Sequence, residues 1–236
     1  MSKQKILYFL SSIINVIVVV LVFYAWATMF IGDGTSNLSA AGLGSLRYFT
    51  VLSNIFCGIT SFLLLVFKVV GIIKKDYKTP SFSHILQFAS TVGVLITFLV
   101  VLTMLAPFSA KNGGSYFDCF KGANLYFHFI IPVLAIVDYI VLEHTNYLHF
   151  KDIPYCIIPV FLYGIFYIAN YYCKWTGSAT GESAITYDWY GFIGDGSALR
   201  VTLLIIVFLI GTYIIGLLLR ELNVIFQKKV YKIKKH

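Results

Sequence analysis

The sequence predicts an all-α membrane protein, a bundle of six transmembrane helices. Three observations carry that reading. Hydrophobic residues make up 59% of the 236 and charged residues only 12%, against about 25% charged in an ordinary soluble domain. The mean hydropathy is +0.84. Six apolar stretches, at about 6–30, 46–73, 84–107, 122–143, 154–173 and 198–225, are each long enough to cross a bilayer with some tilt. No polar stretch between them is long enough to fold alone, so residues 1–236 are expected to form a single membrane domain. The first stretch is too long for a secretory signal and lacks a small-residue cleavage site, so it counts as a helix.

The net charge of +8 fits this topology. With the N-terminus placed in the cytoplasm, the inner segments carry Lys3, Lys5, Lys68, Lys74, Lys75, Lys78, Lys151, Arg220, Lys228, Lys229, Lys232, Lys234 and Lys235. The outer side keeps Arg47, Lys111, Lys121, Lys174 and Arg200. The positive-inside rule then puts both termini in the cytoplasm of a cell-membrane protein. The basic tail "QKKVYKIKKH" is expected on anionic headgroups rather than on nucleic acid.

The inner connections are short, and Pro80 punctuates the first. The outer ones, 31–45, 108–121 and 174–197, are longer. The last holds Trp175, Tyr187, Trp189 and Tyr190. Such aromatics suit a headgroup belt, or a segment folded back over the outer mouth of the bundle. Cys119 and Cys173 both fall on the outer side, where they either pair as a disulfide or stand as two unrelated small residues; Cys57 and Cys156 fall within spans. Gly44, Gly122 and Gly196 open the even-numbered spans, each followed six residues later by Thr50, His128 or Thr202. That is either a trace of duplicated two-helix units or the ordinary preference for glycine where a helix begins.

The second span opens on the polar stripe of "RYFTVLSN". Arg47, Thr50, Asn54 and Cys57 share one helical face. Lipid cannot satisfy an arginine or an asparagine, so this face should look into the bundle. It acts there either as interhelical glue or as a site. His128 is the one histidine placed inside a span; His84, His144 and His149 sit at inner boundaries and His236 ends the chain. Asn124 precedes His128 by one turn. Pro132 follows four residues later and frees a helical carbonyl. Thr50 and His128 lie at about the same depth on helices running in the same direction. A hydroxyl, an imidazole and a nearby cation are the parts of an acyl-transfer site, with Arg47, Asn54, Asn124 and Arg200 as candidate oxyanion donors.

The Arg-Tyr-Phe-Thr run at 47–50 resembles the opening of the second span in the androgen-induced-gene family of integral-membrane threonine hydrolases. The His128 segment with Pro132 resembles that family's catalytic-histidine helix. "WTG" at 175–177 and "YGFIGDGSALR" at 190–200 resemble its last outer loop and the start of its final span. The resemblance implies a six-helix bundle with Thr50 as nucleophile and His128 as base. It implies lipid-ester substrates such as fatty acid esters of hydroxy fatty acids, and no cofactor. The chain departs from the family pattern at Gly191, where the family has proline, and in its longer outer loop. A distant branch uses a cysteine nucleophile, and Cys57 lies on the Thr50 face about two turns deeper.

The expected partners are the membrane and a lipid substrate, with no nucleic acid; the sequence sets no oligomeric state. No His/Cys/Asp/Glu set has metal-ligand spacing, so no metal site is expected. Asp138 and Glu143, near the inner end of the fourth span, are expected to snorkel or to pair with a lysine. Two other functions fit the same polar cluster: a small transporter or channel-like protein, and a membrane protein without chemistry. A transporter should carry polar groups across the midplane. Here polarity reads as concentrated in the outer third, with apolar middles in the second and sixth spans.

Overall fold

The structure is a computed structural model that describes residues 3–32, 42–143, 148–173, 187–194 and 196–231. Six helices are long and apolar enough to span a membrane. They are α1 (Lys3–Ile31), α2 (Phe49–Lys74), α3 (Ser81–Lys111), α4 (Ala123–Leu142), α5 (Phe150–Cys173) and α6 (Ala198–Tyr231). Six consecutive crossings bring both ends of the described chain to one end of the bundle, the terminal end; the other is the distal end. Helix α3 is central and packs on α2, α4, α5 and α6, while α1 packs on α2 and α4.

The α1–α2 seam follows from small residues. A Cβ on Gly58 would stand 2.9 Å from Cγ1 of Val22, so only glycine lets the two backbones approach this closely. Along α1 the buried positions Ser11, Asn15, Val18, Val22, Ala25 and Met29 alternate steps of four and three, the spacing of a helix–helix seam. At its terminal end α2 stops in a Schellman turn. Lys75 adopts φ 56°, its N–H bonds Ile72 O at 3.2 Å and the Asp76 N–H bonds Gly71 O at 3.0 Å.

Three helical stretches widen into π turns: Val101–Leu105 in α3, and Tyr126–Ile130 and Asp138–Leu142 in α4. Each turn strands one carbonyl. In α3 the Ala106 N–H bonds Val101 O. The next carbonyl, Leu102, is then left with Pro107, which has no N–H, and the Tyr116 hydroxyl donates to it instead at 3.0 Å. In α4 the Ile131 N–H bonds Tyr126 O. Phe127 O is left with Pro132, and Asn54 Nδ2 of α2 donates to it at 3.1 Å. At the third turn the Glu143 N–H bonds Asp138 O at 2.8 Å, and Asn223 Nδ2 of α6 donates to Tyr139 O at 2.6 Å. The carbonyl that Pro132 leaves open therefore belongs to Phe127, because the π turn shifts the bonding register by one residue.

Several sequence expectations change at the helix boundaries. The second helix begins at Phe49 rather than near 46, because Gly42–Arg47 is a 3-10 turn and Tyr48 is extended at φ −84°, ψ 132°. Lys68 does not reach the terminal surface; it is fully buried. His84 lies inside the first turn of α3, its side chain 15% exposed. All four cysteines are free, so Cys119 and Cys173 stand as separate residues. Trp175, the 175–177 motif and His144 lie outside the described residues.

Candidate active site

The distal end is organised by two short non-helical segments. In the first, Ser115 and Asp118 form a reciprocal capping box: Phe117 N donates to Ser115 Oγ at 3.3 Å, and Ser115 N donates to Asp118 Oδ2 at 2.7 Å. Lys121 bonds the same carboxylate and holds it below its usual titration range. This box fixes the 3-10 turn Tyr116–Phe120 and so the carbonyl of Cys119. His128 Nδ1 lies 2.6 Å from that carbonyl. A carbonyl can only accept, so Nδ1 carries a proton, and in the neutral ring Nε2 keeps its lone pair. The ring is buried and stands edge-on to Phe120.

The second segment is 187–194. The Asp188 carboxylate accepts from the Gly194 N–H at 2.7 Å, from the Ile193 N–H at 3.1 Å and from the Tyr167 hydroxyl. These bonds curl the chain back over the bundle and set Trp189 and Tyr190 against its core. The Tyr190 hydroxyl accepts from the Phe49 N–H at 3.0 Å, which caps α2 in place of its own first residue. The Thr50 side chain lies beside it. Burial pushes the Tyr190 hydroxyl up to about 12, so it stays an O–H donor through the neutral range.

Thr50 lies in the first turn of α2, almost fully buried. It sits on the wall of a cavity of about 130 Å³ at the distal half. Helices α3, α5 and α6 line the rest, through residues such as Ile96, Val101, Leu105, Gly164 and Phe208, and Tyr163, Tyr167, Tyr190 and Phe192 bring aromatic rings to it. The lining is almost wholly apolar. The π turn of α3 contributes Val101 and Leu105 to this wall.

The remaining predicted residues divide. Asn54 and Asn124 are both buried and each has a side-chain oxygen without a hydrogen-bond partner. Asn54 joins α2 to the His128 turn through Phe127 O and also bonds Thr50 O at 2.7 Å. Arg47 precedes the helix, so it is not on the Thr50–Asn54–Cys57 face. Its guanidinium stands 5.0 Å from the Tyr48 ring centre and 5.8 Å from that of Trp189, and Nη2 bonds the Tyr48 hydroxyl. Arg200 is exposed. It donates to Phe192 O at 2.9 Å and Gly191 O at 3.1 Å, closing the loop rather than facing Thr50. No hydrogen bond joins Thr50 to His128, and His128 is not on the cavity wall.

The stripe on α2 does not end at Cys57. Thr50, Asn54, Cys57, Ser61, Leu64 and Lys68 are all buried at steps of four and three, so one face is polar across nearly the whole span. On α3 Gln87, Ser90, Thr91 and Thr97 are buried against it, and Ser53 and Thr97 share a hydrogen bond of 3.0 Å. The expectation that polarity is confined to one third of the bundle is therefore corrected. The signal was in the sequence: the same spacing that joins Thr50 to Cys57 continues to Lys68. Among the described residues no three His, Cys, Asp or Glu side chains are placed to hold a metal ion. No protein-family model, curated protein or solved structure matches the chain.

Proposed function

We propose that the protein is a membrane-embedded lipid-ester hydrolase or acyltransferase, working from the outer leaflet of the cell membrane with both termini in the cytoplasm. The observation that carries the reading is the position of Thr50. Thr50 lies on the wall of an almost wholly apolar cavity, where an acyl chain would lie with its ester at the Thr50 end. The resemblance to the androgen-induced-gene family supports the same assignment, with Thr50 as nucleophile and His128 as base.

The Thr50 hydroxyl would attack the ester carbonyl carbon as His128 Nε2 takes its proton. Because the two side chains share no bond, the proton must cross through a water or after a shift of the Tyr126–Ile130 turn; such contacts tighten when substrate binds. Tyr190, beside Thr50 and still protonated, is the nearest donor to the oxyanion. The alcohol leaves, and water or a second alcohol resolves the acyl-threonine. Purified protein in micelles should react with a fluorophosphonate probe, and Thr50→Ala should not. Equal labelling of the two proteins would sink this mechanism.

The polar face running the length of α2 favours a second reading, a transporter of protons or small polar solutes. The apolar cavity favours the hydrolase. Uptake assays in vesicles separate them, because a hydrolase carries no solute or proton flux.

A further inference from the structure

Near the terminal end, four helices bring charges together away from water. Lys68 of α2 pairs with Glu143, at the end of α4, and its ammonium also contacts Ser11 Oγ of α1. Ser11 Oγ in turn contacts Asp138 Oδ1 and, at 3.0 Å, Glu143 Oε1. Asn15 Nδ2 and Gln87 Nε2 donate to Asp138 Oδ2 at 3.1 and 3.0 Å. Lys68, Glu143, Asp138, Ser11, Asn15 and Gln87 are each at least nine-tenths buried.

This cluster is short of hydrogens by two separate counts. The first is of contacts. Ser11 has one hydroxyl proton but touches two carboxylates, so with both ionised one of these oxygen–oxygen contacts has no hydrogen in it. Beside it, Asn15 Oδ1 and Gln87 Oε1 are buried acceptors with no donor. The second is of charge. Among the described residues, with His84 neutral, two carboxylates against one ammonium leave an uncompensated negative charge among buried side chains, a costly arrangement. One added proton settles the Ser11 contacts and the charge. Asp138 Oδ1–H then donates to Ser11 Oγ, and Ser11 donates to Glu143 Oε1. Lys68 donates to both, and the two amides still donate to Asp138 Oδ2.

We propose that this cluster is a proton-binding site within the membrane, holding one proton on Asp138 beside a fixed Lys68–Glu143 ion pair. Its access is His84, in the first turn of α3. His84 Nδ1 stands 3.9 Å from Glu143 Oε2 on a side chain still partly exposed at the terminal end, and its Nε2 bonds Thr79 Oγ1 at 2.7 Å. Among the described residues, Tyr8 on α1, whose hydroxyl donates to Lys68 O at 3.4 Å, and Cys57 on α2 also face the cluster, and Asp76 with Tyr77 in the α2–α3 turn stand near Tyr8. Helix α6 brings Gln227 to Glu143 O, and its Arg220 is engaged by Glu221 and Leu148 O. The site does not depend on the hydrolase reading.

The test is infrared spectroscopy of the full chain in lipid vesicles at neutral pH, in H2O and in D2O. Wild type should show the carbonyl stretch of a protonated carboxylic acid, shifted by deuterium, and Asp138→Asn should lack it. An amide reproduces the hydrogen bonds of a neutral acid, so Asp138→Asn should melt close to wild type. Glu143→Gln strands the Lys68 ammonium and should melt far lower. Three results would each overturn the proposal: no such band in wild type, a band that survives Asp138→Asn, or an Asp138→Asn protein as unstable as Glu143→Gln.

Discussion

The two ends of α2 carry polar groups of opposite character. At the distal end Thr50 is neutral and stands beside an apolar void and the Tyr190 side chain. About 27 Å away along the helix axis, Lys68 is fully buried and is held by an ion pair and a hydroxyl. A group that must change partners during a reaction needs space and few commitments. A group that holds helices together needs the reverse. The difference separates the proposed place for chemistry from a place for a fixed charge on one continuous helical face.

Four substitutions test that contrast, in decreasing order of expected effect on stability. Lys68→Met leaves Glu143 without its buried partner and should cost about 3–5 kcal/mol, measured as loss of folded protein on thermal ramping in detergent. A change of less than about 1 kcal/mol would mean the pair contributes nothing to holding α1, α2 and α4. Gly58→Leu pushes α1 off α2 at Val22 and should cost toward the upper part of about 1–3 kcal/mol, read by the same ramp. Asn54→Leu removes the donor to Phe127 O and should cost about 1–2 kcal/mol. Adding Pro132→Ala supplies a backbone N–H to that carbonyl, so the double variant should recover part of the loss. A double variant worse than the sum of its parts would break the account of the turn. Thr50→Ala should change stability by less than about 1 kcal/mol, since Thr50 lies at the edge of a void, while abolishing fluorophosphonate labelling. A melting loss as large as that of Lys68→Met would make Thr50 a packing residue.

The six spans were legible because hydropathy and length suffice for them, and the first half of the polar face because helical spacing is regular. Arg47 was misplaced for a physical reason: the spacing argument assumes an unbroken helix, and one extended residue, Tyr48, rotates everything before it. Arg200 read as a candidate donor because an arginine near a helix start shows nothing of the carbonyls it will meet, here those of Gly191 and Phe192. Lys68 read as a surface cation because lysines near span ends usually reach the headgroups. Its burial depends on Ser11 and Glu143, which lie 57 residues earlier and on another helix, and no local pattern joins the three. The pairing of His128 with Cys119 O was likewise hidden, since the acceptor is a backbone group positioned by the Ser115–Asp118 box.

Each π turn contains one residue more than an α-helical turn of the same rise. Helix α4 has two of them, each followed by a carbonyl served from another helix. In terms of chain length, α4 therefore carries spare residues. Deleting one residue from 126–130 would return that stretch to α-helical register without shortening the crossing by a full turn. It would also swing His128 by about 100° relative to the rest of α4, while Pro132 would still leave one carbonyl of that turn without a helical donor. A one-residue deletion elsewhere in a span misaligns all that follows. Here it would be absorbed locally, so gain and loss of single residues is a route by which this helix could acquire or surrender its histidine's present orientation while the bundle stays assembled.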